Sequence, residues 1–333
     1  MTAVLATLFP DGELTVLTVV VIVAALVAIA ASSVRIGGQC GAQWLAIYLK
    51  YLARRKGKNA DTATPVRALE PDLTIHTHVD RAGNRVGVAT IGEEEGYSVT
   101  IRLAPTVHPD PDRLLLVLHK AFERTDIPLA AAQLVVWSVP AASVSPNPIS
   151  VYWLAVRYQR EDAPWAALAR GDGRDGAFKA ASSAALRLVS DLAELGYDAS
   201  VLDTLDLHNE LVVSVGAGQD SLFAKTVGYE AAETWRYWRI GDQRQACLLT
   251  RSPGDVAAVI GRCAPRSMFT CVAYTLRRNA QGEPKPAATV RIGLHRGRSG
   301  VDAEQLAALG VPLVPANGRH AEHVRATLPV AIS

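Results

Sequence analysis

The chain has 333 residues, with 34 basic and 32 acidic side chains and a formal net charge of +2. Six basic but only two acidic residues fall before residue 61, which leaves 28 basic and 30 acidic residues beyond it. That balance lacks the basic footprint of a nucleic-acid-binding domain. The four cysteines, Cys40, Cys247, Cys263 and Cys271, form no CxxC pair, so free thiols in a reducing compartment are expected.

Met1–Glu13 is a short N-terminal segment in which apolar Ala3–Phe9 runs into the turn signal Pro10-Asp11-Gly12. Residues 14–34, LTVLTVVVIVAALVAIAASSV, predict a transmembrane helix. Leu14 to Ala31 carries no charge, no Gly and no Pro, and the stretch extends roughly 30 Å at about 1.5 Å per residue. A cleaved signal peptide fits less well, because Met1–Glu13 has no Lys or Arg and carries Asp11 and Glu13. Arg35, Lys50, Arg54, Arg55, Lys56 and Lys58 all follow the span, which places the C-terminal domain in the cytoplasm.

Residues 35–60 read as a basic and aromatic juxtamembrane helix with a linker. Trp44, Tyr48 and Tyr51 precede Arg54-Arg55-Lys56, a pattern suited to the headgroup interface or to docking a partner subunit. Residues 61–220 then predict strands at Leu73–Val79, Arg85–Ile91 and Tyr97–Leu103, a helix at Asp110–Asp126, and strands at Leu134–Val139 and Ser150–Tyr158. A long helix reaches about Leu195, where Gly196 supplies a cap. A strand at Ala199–Leu202 and a helix at Thr204–Val215 follow. Residues 221–333 repeat the layout: strands Trp235–Ile240 and Ala246–Thr250, helix Pro253–Arg262, strands Ser267–Leu276 and Ala288–Leu294, helix Asp302–Leu309 and strand Val311–Val314. The expected class is α+β: an N-terminal transmembrane helix followed by a cytosolic mixed domain in two similar β-β-α-β-β-α-β halves.

The candidates for chemistry each have a structural reading beside them. Asp110-Pro-Asp112 matches the D-x-D pattern of a metal and sugar-nucleotide site, but Asp110 also stands where an N-cap belongs, with Pro111 at the first helical position. Arg170–Gly176 opens a helix and is glycine-rich, yet it lacks the G-K-[ST] of a phosphate loop, and Asp172 and Asp175 repel an anion. His76 and His78 share one face of a strand without a third metal ligand nearby in sequence. Cys263 and Cys271 read as core residues. The WRYWR run, Trp235 to Arg239, offers a stacking platform or, on the stronger reading, sheet core with a protein contact. No GxSxG or HExxH signature is present. The residues therefore nominate no catalytic, cofactor-binding or metal site and no small-molecule substrate.

Four segments resemble the EccE family, a membrane component of the ESX (type VII) secretion system. They are the apolar span followed by QWLAIYLKYLARRK (Gln43–Lys56); YWLAVRYQREDAPWAALARGDGRDG (Tyr152–Gly176) with LGYDASVLDTLDL (Leu195–Leu207); TWRYWRI (Thr234–Ile240); and VPLVPANGRHAEHVRATLPV (Val311–Val330). The resemblance implies a structural, non-enzymatic subunit at the periphery of an inner (plasma) membrane complex. Its implied partners are the EccB, EccC and EccD components, an associated mycosin protease and the lipid bilayer. The family usually has two transmembrane helices. Here only one is complete, so Met1–Phe9 reads as the tail of a first helix, through an internal start or the loss of that helix. The alternative function is a membrane-anchored, glycosyltransferase-like enzyme using Asp110 and Asp112.

Overall fold

The structure, a computed structural model, describes residues 16–33, 35–36, 39–55, 60–62, 64–80, 82–92, 96–105, 109–141, 148–216, 229–279, 281–295, 297–298 and 300–332. The expected N-terminal segment, Met1–Glu13, lies outside them. The chain divides into two compact units, Met1–Gly57 and Lys58–Ser333.

The first unit holds helix α1 (Val16–Ser33), the short antiparallel strands β1 (Arg35–Ile36) and β2 (Gln39–Cys40), and helix α2 (Gly41–Arg55). α1 coincides with the expected transmembrane helix. Among the described residues, however, no helix is long and apolar enough to cross a membrane. The α1 side chains are described only at 19–26 and 29, a run shorter than a span. The helix is thus seen, but a membrane span is not established by it.

Among the described residues the second unit is built on a 13-stranded sheet in which every pairing is antiparallel. In chain order its elements are β3 (Ala60–Thr62), α3 (Pro65–Leu69), β4 (Leu73–Val79), β5 (Arg85–Ile91), β6 (Gly96–Leu103), α4 (Pro111–Phe122), β7 (Ala131–Val139), β8 (Ile149–Gln159), α5 (Pro164–Leu168), α6 (Gly173–Glu194), β9 (Ala199–Val201) and α7 (Thr204–Ser214). There follow β10 (Tyr229–Glu233), β11 (Trp238–Ile240), β12 (Gln243–Thr250), a 3-10 helix (Pro253–Ala258), β13 (Phe269–Arg278), β14 (Pro284–Leu294), α8 (Ala303–Leu309), β15 (Leu313–Pro315) and α9 (His320–Arg325). Across the sheet the order is β3-β10-β11-β12-β14-β13-β7-β8-β6-β5-β4, with β15 beside β12 and β9 beside β6. This is a mixed α+β fold dominated by an antiparallel sheet.

Period-two alternation explains its layers. On β7, Ala132, Leu134 and Val136 enter one core while Val135 and Trp137 enter the other. On β13, Val272, Tyr274 and Leu276 join the first, and Cys271 and Ala273 the second. Buried residues of α4, α6, the 3-10 helix and α8 belong to the first core; those of α3, α7 and α9, with Leu328, Val330 and Ile332, belong to the second. The central strands are covered on both faces, which is why they read as nearly unbroken apolar runs.

The strand order repeats about the central β7–β13 pairing. β5-β6-β8-β7 on one side corresponds to β11-β12-β14-β13 on the other. In each set a helical element joins the second strand to the next in sequence, a helix follows the last, and a short strand returns to the second.

Several boundaries differ from expectation. The predicted helix Pro253–Arg262 is a 3-10 helix ending at Ala258. Trp235 and Arg236 form a bend, in which the Thr234 hydroxyl both donates to the Tyr237 carbonyl and accepts from its N–H, so the strand starts at Trp238. β10 was not legible because YEAAE shows no apolar alternation; its place is set by pairing with β11.

Candidate interaction surfaces and the buried polar network

Asp110 is a cap. Its side chain accepts from the Asp112 N–H at 3.0 Å, and Asp112 lies in the first turn of α4. Arg113 also approaches Asp110 at 3.6 Å. Among the described residues no group of three or more His, Cys, Asp or Glu side chains is placed to hold a metal ion.

The glycine-rich segment is a turn between α5 and α6. Gly171 and Gly173 have φ of 112° and 57°, values that glycine adopts at little steric cost, and Asp172 between them is held at φ 58°. Gly176 allows close packing: a Cβ there would lie 2.4 Å from the Ala167 carbonyl oxygen. Asp175 pairs with Lys179 one turn along. These contacts account for the glycines without a phosphate.

His76 and His78 do share a face of β4, as their spacing predicts. They meet the Phe178 ring of α6 at 5.8 and 6.1 Å between centroids. His76 Nε2 lies 3.2 Å from the Thr90 hydroxyl. Burial, then the Arg174 guanidinium, lowers its pKa. Cys263 is half-buried, with its Sγ 3.6 Å from the Ser138 carbonyl oxygen, and Cys271 is fully buried. In the WRYWR run, Trp238 is core at 2 % exposure, whereas Tyr237 lies under the Arg244 guanidinium at 5.3 Å. The run thus divides between core and surface and forms no continuous stacking platform.

Sequence reasoning missed a buried polar row. Register places Cys247 of β12, Arg291 of β14, Cys271 of β13 and Trp137 of β7 side by side. Arg291 is fully buried. It donates to the Gln245 side-chain oxygen at 2.7 Å and to the Ser214 carbonyl. Its guanidinium lies 5.5 Å from the Trp137 ring and 5.6 Å from the Phe269 ring, which stack on each other at 3.7 Å. Its Nε has no partner among the described residues. Burial pushes the Cys247 thiol up to about 12 and raises Cys271 as well. Beside them, His320 Nδ1 accepts from the Cys247 N–H at 3.1 Å while Nε2 lies 3.2 Å from the Trp235 carbonyl. The one legible signal was an Arg in the apolar run ATVRIGL. The row is enclosed by packing, so its thiols are structural.

The outermost strand, β4, borders a groove of about 910 Å³. α7 forms one wall, and Arg67 of α3 and Arg85 of β5 reach into it. α7 is set against the sheet by a close backbone crossing: the Gly87 N–H donates to the Leu202 carbonyl at 2.9 Å, and a Cβ at Gly87 would lie 2.7 Å from the Asp203 carbonyl oxygen. Asp203 caps α7, accepting from Leu205 and Asp206 N–H groups at 2.8 Å each.

No curated protein matches the chain. Residues 150–249 match the family model EccE, described as "Putative type VII ESX secretion system translocon, EccE". The matched stretch begins in β8 and ends in β12. Over residues 150–249, which hold two of the four segments on which the resemblance rests, the chain matches the EccE family of type VII (ESX) secretion components.

Proposed function

We propose that this chain is a structural subunit of a type VII (ESX) secretion membrane complex, acting through protein contacts at the periphery of the inner-membrane assembly. The family match over residues 150–249 carries the reading. The placement of the candidate groups is in keeping with it: Asp110 is engaged as a helix cap and the glycine-rich segment as a turn.

On this reading α1 anchors the chain in the bilayer. Val19, Val20, Val21, Ile22 and Val23 are all exposed. At about 100° per residue, five consecutive positions encircle a helix, so its apolar surface calls for an apolar surrounding. The basic residues after α1 put residues 58–333 in the cytoplasm. The repeated strand order supports 61–220 and 221–333 as two similar halves of that domain. The partners are then the EccB, EccC and EccD components, with a mycosin protease associated.

The test is purification of the C-terminally tagged protein from its native membranes in mild detergent, with native-gel sizing and mass spectrometry. Co-purification with an ATPase and other secretion subunits in one large complex is expected. A stable monomer or small homo-oligomer without them would overturn the reading. The glycosyltransferase-like alternative requires nucleotide-sugar or metal binding that is lost in Asp110→Ala; neither binding nor its loss is expected.

A further inference from the structure

We propose that the outer edge of β4 is a strand-acceptor site, to which an acidic, extended segment of a partner polypeptide adds as the next strand of the sheet.

β4 ends the sheet and pairs only with β5 among the described residues. The phase of that pairing fixes which backbone groups face outward. The Asp80 N–H donates to the Asn84 carbonyl and the Gly92 N–H to the Asp72 carbonyl, each at 3.0 Å. These bonds flank a register running from Leu73↔Ile91 to Val79↔Arg85. Hydrogen-bonded pairs in an antiparallel ladder recur at every second residue. Thr74, His76 and His78 therefore bond toward β5, while Ile75, Thr77 and Val79 turn their N–H and C=O groups away from the sheet.

The edge also lacks the usual guards against pairing. LTIHTHV contains no Lys, Pro or Gly, the residues that commonly blunt an edge strand. The opposite end of the sheet is β3, only three residues long. β4 thus offers a seven-residue template, and Val79 at its end is 56 % exposed.

The adjoining groove selects the charge of the added strand. Its lining includes Arg67, Arg85 and His208. Asp203, the one carboxylate among the described lining residues, is already engaged by two backbone N–H groups of α7. Apolar contact is available from Ile75, Leu205 and Leu211. An added strand would direct every second side chain toward this groove, so acidic residues at alternate positions complement it, while the residues between them face the other side of the sheet. A second copy of this chain would bring the same basic groove to the edge, and like charges disfavour that pairing. The proposal is independent of the secretion reading, since it concerns the chemistry of the occupant and not the assembly it belongs to.

The test uses the full chain in detergent micelles and two fluorescently labelled, end-blocked octapeptides, one alternating glutamate with valine and the other lysine with valine. Saturable binding of the acidic peptide, with slowed amide exchange across 73–79, is expected, while the basic peptide binds at least about tenfold more weakly. Thr77→Pro removes an outward N–H and spares the ladder to β5. It should weaken the acidic peptide by about tenfold, the equivalent of a lost strand hydrogen bond. The double variant Arg67→Glu/Arg85→Glu keeps the backbone and should reverse the peptide preference; it decides the matter if Thr77→Pro fails to fold. Absence of saturable acidic-peptide binding, equal binding of both peptides, or unchanged preference in the double variant would overturn the proposal.

Discussion

His320 is fully buried and held neutral by that burial, which outweighs the opposing pull of the Trp235 carbonyl, while Nδ1 accepts from the Cys247 N–H. Burial lowers its pKa from 6.5 to about 4. The unfolded chain therefore takes up a proton at higher pH than the folded one. Stability is complete above pH 6.5 and declines as pH falls toward 4. Burial lowers His323 as well, so both residues act in the same direction. Urea titrations at pH 7.5 and pH 4.5 should show a loss of about 2–3 kcal/mol from His320. His320→Gln should reduce the difference between the two pH values; an unaltered difference would show that His320 is not its source. The neighbouring thiols make a second prediction. Cys247 and Cys271 are buried and protonated, and the thiolate is the reactive form. Alkylation of the folded protein at pH 8, followed by peptide mass spectrometry, should leave both unmodified until denaturant is added. Rapid labelling of either in the native protein would contradict the enclosed row.

Elements here are placed by close approaches and caps more than by propensity. α7 depends on Gly87, because a side chain there would meet the Asp203 backbone at 2.7 Å. Gly87→Ala should destabilise the protein by about 1–3 kcal/mol, the usual cost of overpacking, seen as a lower urea midpoint. An unchanged midpoint would mean that α7 shifts freely. α8 carries a complete capping box: Asp302 accepts from the Gln305 N–H at 2.8 Å, and the Gln305 side chain returns to the Asp302 N–H at 3.3 Å. Asp302→Ala should cost about 1 kcal/mol. The Asp110 cap should cost a similar amount on removal, with no change in metal binding, which separates a capping role from a ligating one.

The second unit coheres as a whole because its halves share both cores and one sheet. β13 and β7 pair from Thr270↔Ser138 to Arg277↔Ala131, and each apolar core draws residues from both sides of that junction. Residues 58–216 alone would leave the edge of β7 unpaired and would uncover the apolar residues that pack against β13 and the C-terminal segment. This fragment should lack the near-ultraviolet circular dichroism of a packed core and should aggregate. A soluble fragment with a cooperative melt would show that the halves fold independently.

Much of this protein was legible in the chain. The alternation in ATVRIGL and the long Ala-rich repeat of α6 announced strand and helix, since burial on one face repeats at the period of the backbone. Asp110 announced a helix start through the orphan N–H group it satisfies, whereas Asp302 was revealed as the cap of α8 only by the structure. The succession of strands and helices, and the resemblance carried by four segments, were likewise readable in the residues. Tertiary structure decided what depends on partners distant in sequence. β10 owes its strand to β11 and β3, and Arg291 became a buried donor because Ser214 and Gln245 fold against it. The terminal position of β4 among the described strands also emerged only when the whole sheet was ordered. Periodicity records which face of an element is buried; it carries no record of which element lies beside it, so the neighbour, the shared core and the exposed edge are settled by packing.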